Sequence, residues 1–301
     1  MAHSTVVLGW DGLDHRLAVD FGLADAFAPA HREIETFDNE VLGSPQTYEL
    51  WPSVLTGLTP REHGLRLLDT GRDDSVLARA AKRTFARLTE RSTLPMKALV
   101  RGGLALQDRG IVLADRSPDW YREHGLWTLF DGVDARPMAV PNYRTPADDE
   151  LDEDLGYSRR RAGFIESVPR WKAGIVAYRP TVALSRVENW LASDLDHRLR
   201  IVRRHAATHD LVFCWFPYLD VVGHLVPTVG AAVQERAYRV AAEATRDVRE
   251  ALPNETRVVV VSDHGHRDGA HTHSAFFGAD ADATVDPVAD LTDVADGVAS
   301  C

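Results

Sequence analysis

VVVVSDHGHRDGAHTH, residues 258 to 273, decides the reading of this chain. Four consecutive valines read as a strand buried on both faces. Directly after it come Asp263 and His264, then His266, His271 and His273. Carboxylates and imidazoles are costly to desolvate unless paired, and they are the side chains that bind divalent cations. A buried strand that ends in such a cluster points to chemistry, beyond what folding alone requires.

Working outward, two more apolar strands end in the same residue types. TVVL, residues 5 to 8, runs into GWDG and places Asp11 beyond the first strand. LVFCWF, residues 211 to 216, runs into PYLDVVGH, with Asp220 and His224 four apart, so one helical turn puts both on one side. Gly12, Gly223 and Gly265 sit beside these candidates, where the backbone can approach closely. Helices are expected between the strands. Residues 185 to 208 carry Val187, Leu191, Leu195, Leu199 and Val202 on one face, and residues 230 to 251 carry Val233, Ala237, Val240, Ala244 and Val248. A helix is also expected at 75 to 92, strands at 33 to 37, 257 to 262 and 274 to 278, and a final helix near 287 to 299. Apolar strands alternating with amphipathic helices specify an α/β fold, a mostly parallel sheet covered on both faces, whose ligands bind beyond the carboxyl ends of the strands. The irregular stretch from about 70 to 180, with its strand RPMAV at 136 to 140, reads as a variable cap inserted into one catalytic domain spanning 1–301.

Composition bounds the function. The chain has 301 residues, a net charge of -11, 45% hydrophobic and 26% charged residues, and only three lysines, Lys82, Lys97 and Lys172, among 34 basic side chains. No basic stripe argues for nucleic-acid binding. No apolar run is long enough to span a bilayer, and the N-terminal MAHSTVVLGWDG lacks the pattern of a secretory leader, so a cytoplasmic protein is expected. Two cysteines, Cys214 in an apolar strand and Cys301 at the end, fit a reducing compartment. The acidic, Lys-poor balance resembles proteins of a salty cytoplasm, and GC-rich codon usage gives the same bias. The sequence sets no oligomeric state.

A further segment, SPQTYELWPSVLTGLTPREHG, opens a helix at Thr47. Thr47 reads either as a plain N-cap or as a nucleophile whose anion the helix terminus and a cation would favour. Pro52 removes one backbone donor inside that helix.

These motifs together resemble the alkaline phosphatase superfamily, in its type I phosphodiesterase/nucleotide pyrophosphatase branch. The matching residues are Asp11-Gly12, Thr47, Ser53 to Gly57, Pro60 to Gly64, Asp220 to His224 and Ser262-Asp263-His264-Gly265, in the family's order. The resemblance implies a three-layer αβα sandwich and a phosphoesterase that passes through a covalent phosphothreonine on Thr47, acting on a small-molecule phosphoester. It implies two divalent cations, zinc with manganese as the alternative. One would be held by Asp11, Thr47, Asp263 and His264, the other by Asp220, His224 and a late histidine, His271 ahead of His273. His63 and His266 take structural or supporting places. Where the family's nucleotide pyrophosphatases carry an Asn after His-Gly, this chain has Leu65-Arg66-Leu67-Leu68-Asp69. Diester preference is therefore open, and Arg66 reads as a phosphate clamp or as a solvated arginine. The other readings are a phosphomonoesterase, a phosphomutase-like or sulfatase-like relative, and a non-catalytic metal-binding relative.

Overall fold

The computed structural model describes residues 4–40, 43–66, 115–146, 148, 163–169 and 176–300. In chain order the elements are β1 (Thr5–Trp10), α1 (His15–Asp20), α2 (Ala24–Phe27), β2 (Ala30–Ile34), α3 (Thr47–Thr56), α4 (Pro60–His63) and α5 (Pro118–Glu123). Next come β3 (Ala135–Met138), β4 (Ile165–Pro169), β5 (Val176–Pro180), α6 (Leu184–Ala206), β6 (Leu211–Phe216), α7 (Tyr218–Val229) and α8 (Ala232–Ala251). The chain closes with β7 (Arg257–Val261), β8 (Gly265–Arg267), β9 (Ala270–Thr272), β10 (Ala275–Ala279), α9 (Asp282–Val285), a 3-10 turn (Leu291–Asp293) and α10 (Val294–Ala299).

Six strands form one sheet in the order β2-β10-β7-β1-β6-β3. β7, β1, β6 and β3 are mutually parallel, and β10 runs antiparallel to β7 and β2. Side chains alternate between two cores, as the two-residue period of a strand requires. Val6, Leu8, Val258 and Val260 enter one core, against α6, α7 and α8. Val7, Val259, Val261 and Phe213 enter the other, against α3 and the C-terminal helix. The sheet is therefore the middle of three layers. The reading frame of β1, β6 and β7 brings their carboxyl ends to one rim, because Gly9 faces both Trp215 and Val261.

Several expected boundaries move. The strand expected at 33 to 37 lies at Ala30–Ile34, where it pairs residue for residue with the apolar β10. The expected final helix is split, since Asp290 caps a 3-10 turn before Val294–Ala299 begins. In α8 the buried stripe runs through Tyr238, Ala241 and Thr245, leaving Val240 exposed, because the large ring of Tyr238 takes the core position. Residues 135–138, within the range read as an insert, pair with β6 as the edge strand of the main sheet. The helix expected at 75 to 92 lies outside the described residues.

Candidate active site

Asp11 leaves β1 with its N–H bonded to Phe216 O, and its own carbonyl accepts from Asp220 N at 3.0 Å each. This backbone exchange ties the end of β1 to the start of α7. Gly12 permits it: φ is +76°, and a Cβ would lie 2.8 Å from Asp220 Cα. Asp220 and His224 share one face of α7, with Oδ1 and Nε2 3.4 Å apart. Asp263 and His264 follow β7 directly, both fully buried. His266 and His271 face each other across the β8–β9 hairpin.

Thr47 is the first residue of α3. Gln46 holds the N-cap position and makes no side-chain cap bond, so the plain N-cap reading of Thr47 gives way. Its hydroxyl instead donates to Asp11 Oδ1 at 3.2 Å and lies 3.1 Å from His264 Nε2. Pro52 deprives the Tyr48 carbonyl of its helical donor. Asn142, in the left-handed region at φ 63°, replaces it by donating Nδ2 to Tyr48 O at 3.1 Å.

The side chains form two adjoining groups. The first holds Asp11, Thr47, Asp263 and His264, with His264 Nε2 3.3 Å from Asp11 Oδ1 and 3.5 Å from Asp263 Oδ2. The second holds Asp220, His224, His266 and His271. There His271 Nε2 is 3.3 Å from His224 Nε2 and 3.4 Å from Asp220 Oδ1. The rings of His264 and His271 stack at 4.1 Å and join the groups. Donors at about 2.0–2.2 Å from one tetrahedral cation stand about 3.3–3.6 Å apart, the spacing of His264 with Asp11 and Asp263 in the first group and of Asp220, His224 and His271 in the second.

The protonation pattern also suits cation binding. His264 Nδ1 donates to Gly265 O at 2.9 Å and His271 Nδ1 to Pro45 O at 2.8 Å. A carbonyl only accepts, so each neutral ring turns its Nε2 lone pair toward a group. Both carboxylate oxygens of Asp263 are buried with no hydrogen-bond partner among the described residues. Burial, then the charges of Asp11 and Asp220, hold the Asp263 carboxyl well above its usual range. Burial also raises Asp220, but the neighbouring imidazoles of His224, His266 and His271 outweigh it and leave that carboxyl well below its usual range. Burial lowers the His264 imidazole, yet the Asp11 and Asp220 carboxylates beside it outweigh burial and the net shift is upward, a negative field that a cation can meet in place of the proton. A carboxylate this deep without a donor is costly unless a positive charge meets it. The residues present therefore fit divalent cations.

Of the two late histidines, His271 reaches the second group, whereas the exposed His273 pairs with Asp38 at 2.7 Å. His63 stands apart. It bonds Ser53 Oγ at 3.1 Å and accepts from Leu65 N at 3.0 Å, bracing α3 against α4. Burial pushes its imidazole down to about 4. Arg66 is ion-paired with Glu40. One contact had no signal in the motifs: Trp215 Nε1 donates to Asp11 Oδ2 at 3.1 Å. Only the register of β6 against β1 reveals it.

The model of the family described as type I phosphodiesterase/nucleotide pyrophosphatase matches residues 5–286. No curated protein matches the sequence. Among solved structures, murine ectonucleotide pyrophosphatase/phosphodiesterase 5 aligns at 13% identity and TM-score 0.45, over 87% of this chain and 57% of that one. Wild-type alkaline phosphatase PafA aligns at 11% and 0.47, over 89% and 64%. The alkaline phosphatase of the Antarctic bacterium TAB5 aligns at 10% and 0.42, over 99% and 97%. This chain thus spans under two thirds of the length of the first two. With the motifs in order from Asp11 to His271 and the family model matched along residues 5–286, the chain belongs to the type I phosphodiesterase/nucleotide pyrophosphatase family.

Proposed function

We propose that the protein hydrolyses phosphate esters of small molecules, with Thr47 as nucleophile and two divalent cations, zinc or manganese, as cofactors. Asp11, Thr47, Asp263 and His264 would hold one cation, and Asp220, His224 and His271 the other. The observation that carries the reading is the convergence of these seven side chains from β1, α3, α7, the β7 end and β9, around a buried carboxylate with no donor. When bound, the cations supply Lewis-acid polarisation of phosphoryl oxygens and favour the ionised hydroxyl.

The chain's own groups account for the rest. Thr47 Oγ1 gives its proton along the hydrogen bond to Asp11 Oδ1 and attacks phosphorus. The bond from phosphorus to the ester oxygen breaks as the bond to Thr47 forms, and the departing alkoxide takes a proton from water. The hydroxide so formed attacks the phosphothreonine, the bond from phosphorus to Thr47 Oγ1 breaks as the phosphoryl product leaves, and Asp11 returns its proton to Oγ1, restoring the hydroxyl. Thr47 opens α3, so its hydroxyl stands at the positive end of the helix dipole, which favours negative charge there. The Asn142 bond to Tyr48 O keeps that turn in place beside Pro52.

The test compares bis-p-nitrophenyl phosphate with p-nitrophenyl phosphate, with zinc or manganese added, in wild type and Thr47→Ala. Turnover that disappears in the variant supports the reading, and the faster substrate settles diester against monoester use. Equal rates in both proteins refute Thr47 as nucleophile. No turnover of either substrate by metal-loaded wild type favours a binding protein instead.

A further inference from the structure

His266, the residue after Ser-Asp-His-Gly, is fully buried and lies in the second group, yet its geometry differs from that of its neighbours. Three separations there are 3.3 to 3.4 Å: Asp220 to His224, Asp220 to His271, and His224 to His271. The separation from His266 Nδ1 to Asp220 Oδ1 is 2.9 Å. Donors sharing one tetrahedral cation at about 2.0–2.1 Å stand about 3.3–3.4 Å apart, whereas N–H···O hydrogen bonds cluster at about 2.9–3.0 Å.

The geometry points to His266 as a positioning residue: its Nδ1–H donates to Asp220 Oδ1 and holds that oxygen within reach of the Nε2 atoms of His224 and His271. This rests on reading the second group as a cation site, and it adds a residue that the ligand set does not contain. Three further observations agree. Catalytic zinc centres keep three protein donors and one open position, which a fourth donor would close. His266 Nε2 is buried without a partner among the described residues. With the hydrogen on Nδ1 that atom is only an acceptor, the less costly kind of group to leave unpaired. The ring also has a built seat. A Cβ on Gly223 would lie 2.4 Å from His266 Cγ and 2.5 Å from Nδ1, so only glycine admits the imidazole against α7. The His266 carbonyl is fixed from behind by Gln234 Nε2 at 2.5 Å.

The experiment measures zinc affinity of the full chain by chelator competition in wild type, His266→Ala, His266→Asn and Gly223→Ala, with folding checked by circular dichroism. Asn keeps a side-chain N–H donor but is a poor zinc ligand. We expect His266→Ala to bind one of two zinc ions about 10- to 100-fold more weakly, Asn to recover most of that loss, and Gly223→Ala to resemble His266→Ala. Wild-type affinity in His266→Ala overturns the positioning role. A His266→Asn protein as weak as His266→Ala, with a changed visible spectrum of bound cobalt(II), makes His266 a ligand and also overturns it. A folded wild type that binds no zinc defeats the cation-site reading itself, a result distinct from both.

Discussion

Two buried aspartates in this molecule are treated in opposite ways. Asp194, in α6, gives one oxygen to Arg198 Nε at 2.8 Å, and both side chains are all but inaccessible. Asp263, just past the end of β7, is at least as deep and has no donor on either oxygen among the described residues. The fold can therefore supply a buried carboxylate with a hydrogen-bonded guanidinium, whereas at the sheet rim the nearest described group to Asp263 Oδ2 that can carry positive charge is the His264 imidazole, 3.5 Å away. Removing one partner of a buried pair is strongly destabilising, because the other charge is left alone. An aspartate kept alone is the arrangement expected where its partner is an ion from solution. The two regions are joined: Arg198 also donates to Trp215 O at 3.0 Å, and Trp215 Nε1 reaches Asp11.

Substitutions can break or sharpen this contrast. Thr47→Ala should lower turnover by about a thousandfold or more while leaving cation content near that of wild type, measured by steady-state rates and elemental analysis. That pairing would separate chemistry from charge neutralisation. Asp194→Ala should cost about 3–5 kcal/mol of stability, read by urea unfolding, since the buried Arg198 loses its carboxylate.

His63 gives a third kind of buried polar group, one kept neutral. Its folded-state value of about 4 lies below the ordinary 6.5, so the unfolded chain takes up the proton first. The stability it contributes is complete above pH 6.5 and is lost as pH falls toward 4, by at most about 3 kcal/mol. His63→Gln, which cannot titrate, should flatten the pH dependence of unfolding in that window. Asp263→Asn should do the reverse of Asp194→Ala. In metal-free protein it should raise stability by about 1–2 kcal/mol, and it should remove the share of zinc stabilisation that the cation at Asp11, Thr47, Asp263 and His264 contributes. Trp215→Phe should be mildest, costing about 1 kcal/mol with a small loss of cation affinity.

The parts legible in the sequence share a physical cause. β1, β6 and β7 are parallel and covered on both faces, so they read as continuous apolar runs, and a polar residue at their ends marks the rim. Asp11, Asp220, His224, Asp263 and His264 were visible for that reason, and the four-residue spacing of Asp220 and His224 survives as a real helix face. What stayed hidden depends on register and on partners distant in sequence. β2 shifted because β10 chooses which five residues to pair. The placing of Trp215 against Asp11 and of Asn142 against Tyr48 spans 204 and 94 residues of sequence. No short motif carries such pairs. His271 and His273 stand in one short motif, and the fold separates them: the hairpin turns His271 toward His224, while His273 faces Asp38.

The most direct measurement is elemental analysis of the purified full chain after zinc loading and dialysis, paired with thermal unfolding before and after a chelator. The account predicts two divalent cations per chain and a clear fall in melting temperature when they are stripped. A chain that retains no metal and melts at the same temperature with or without chelator would contradict it.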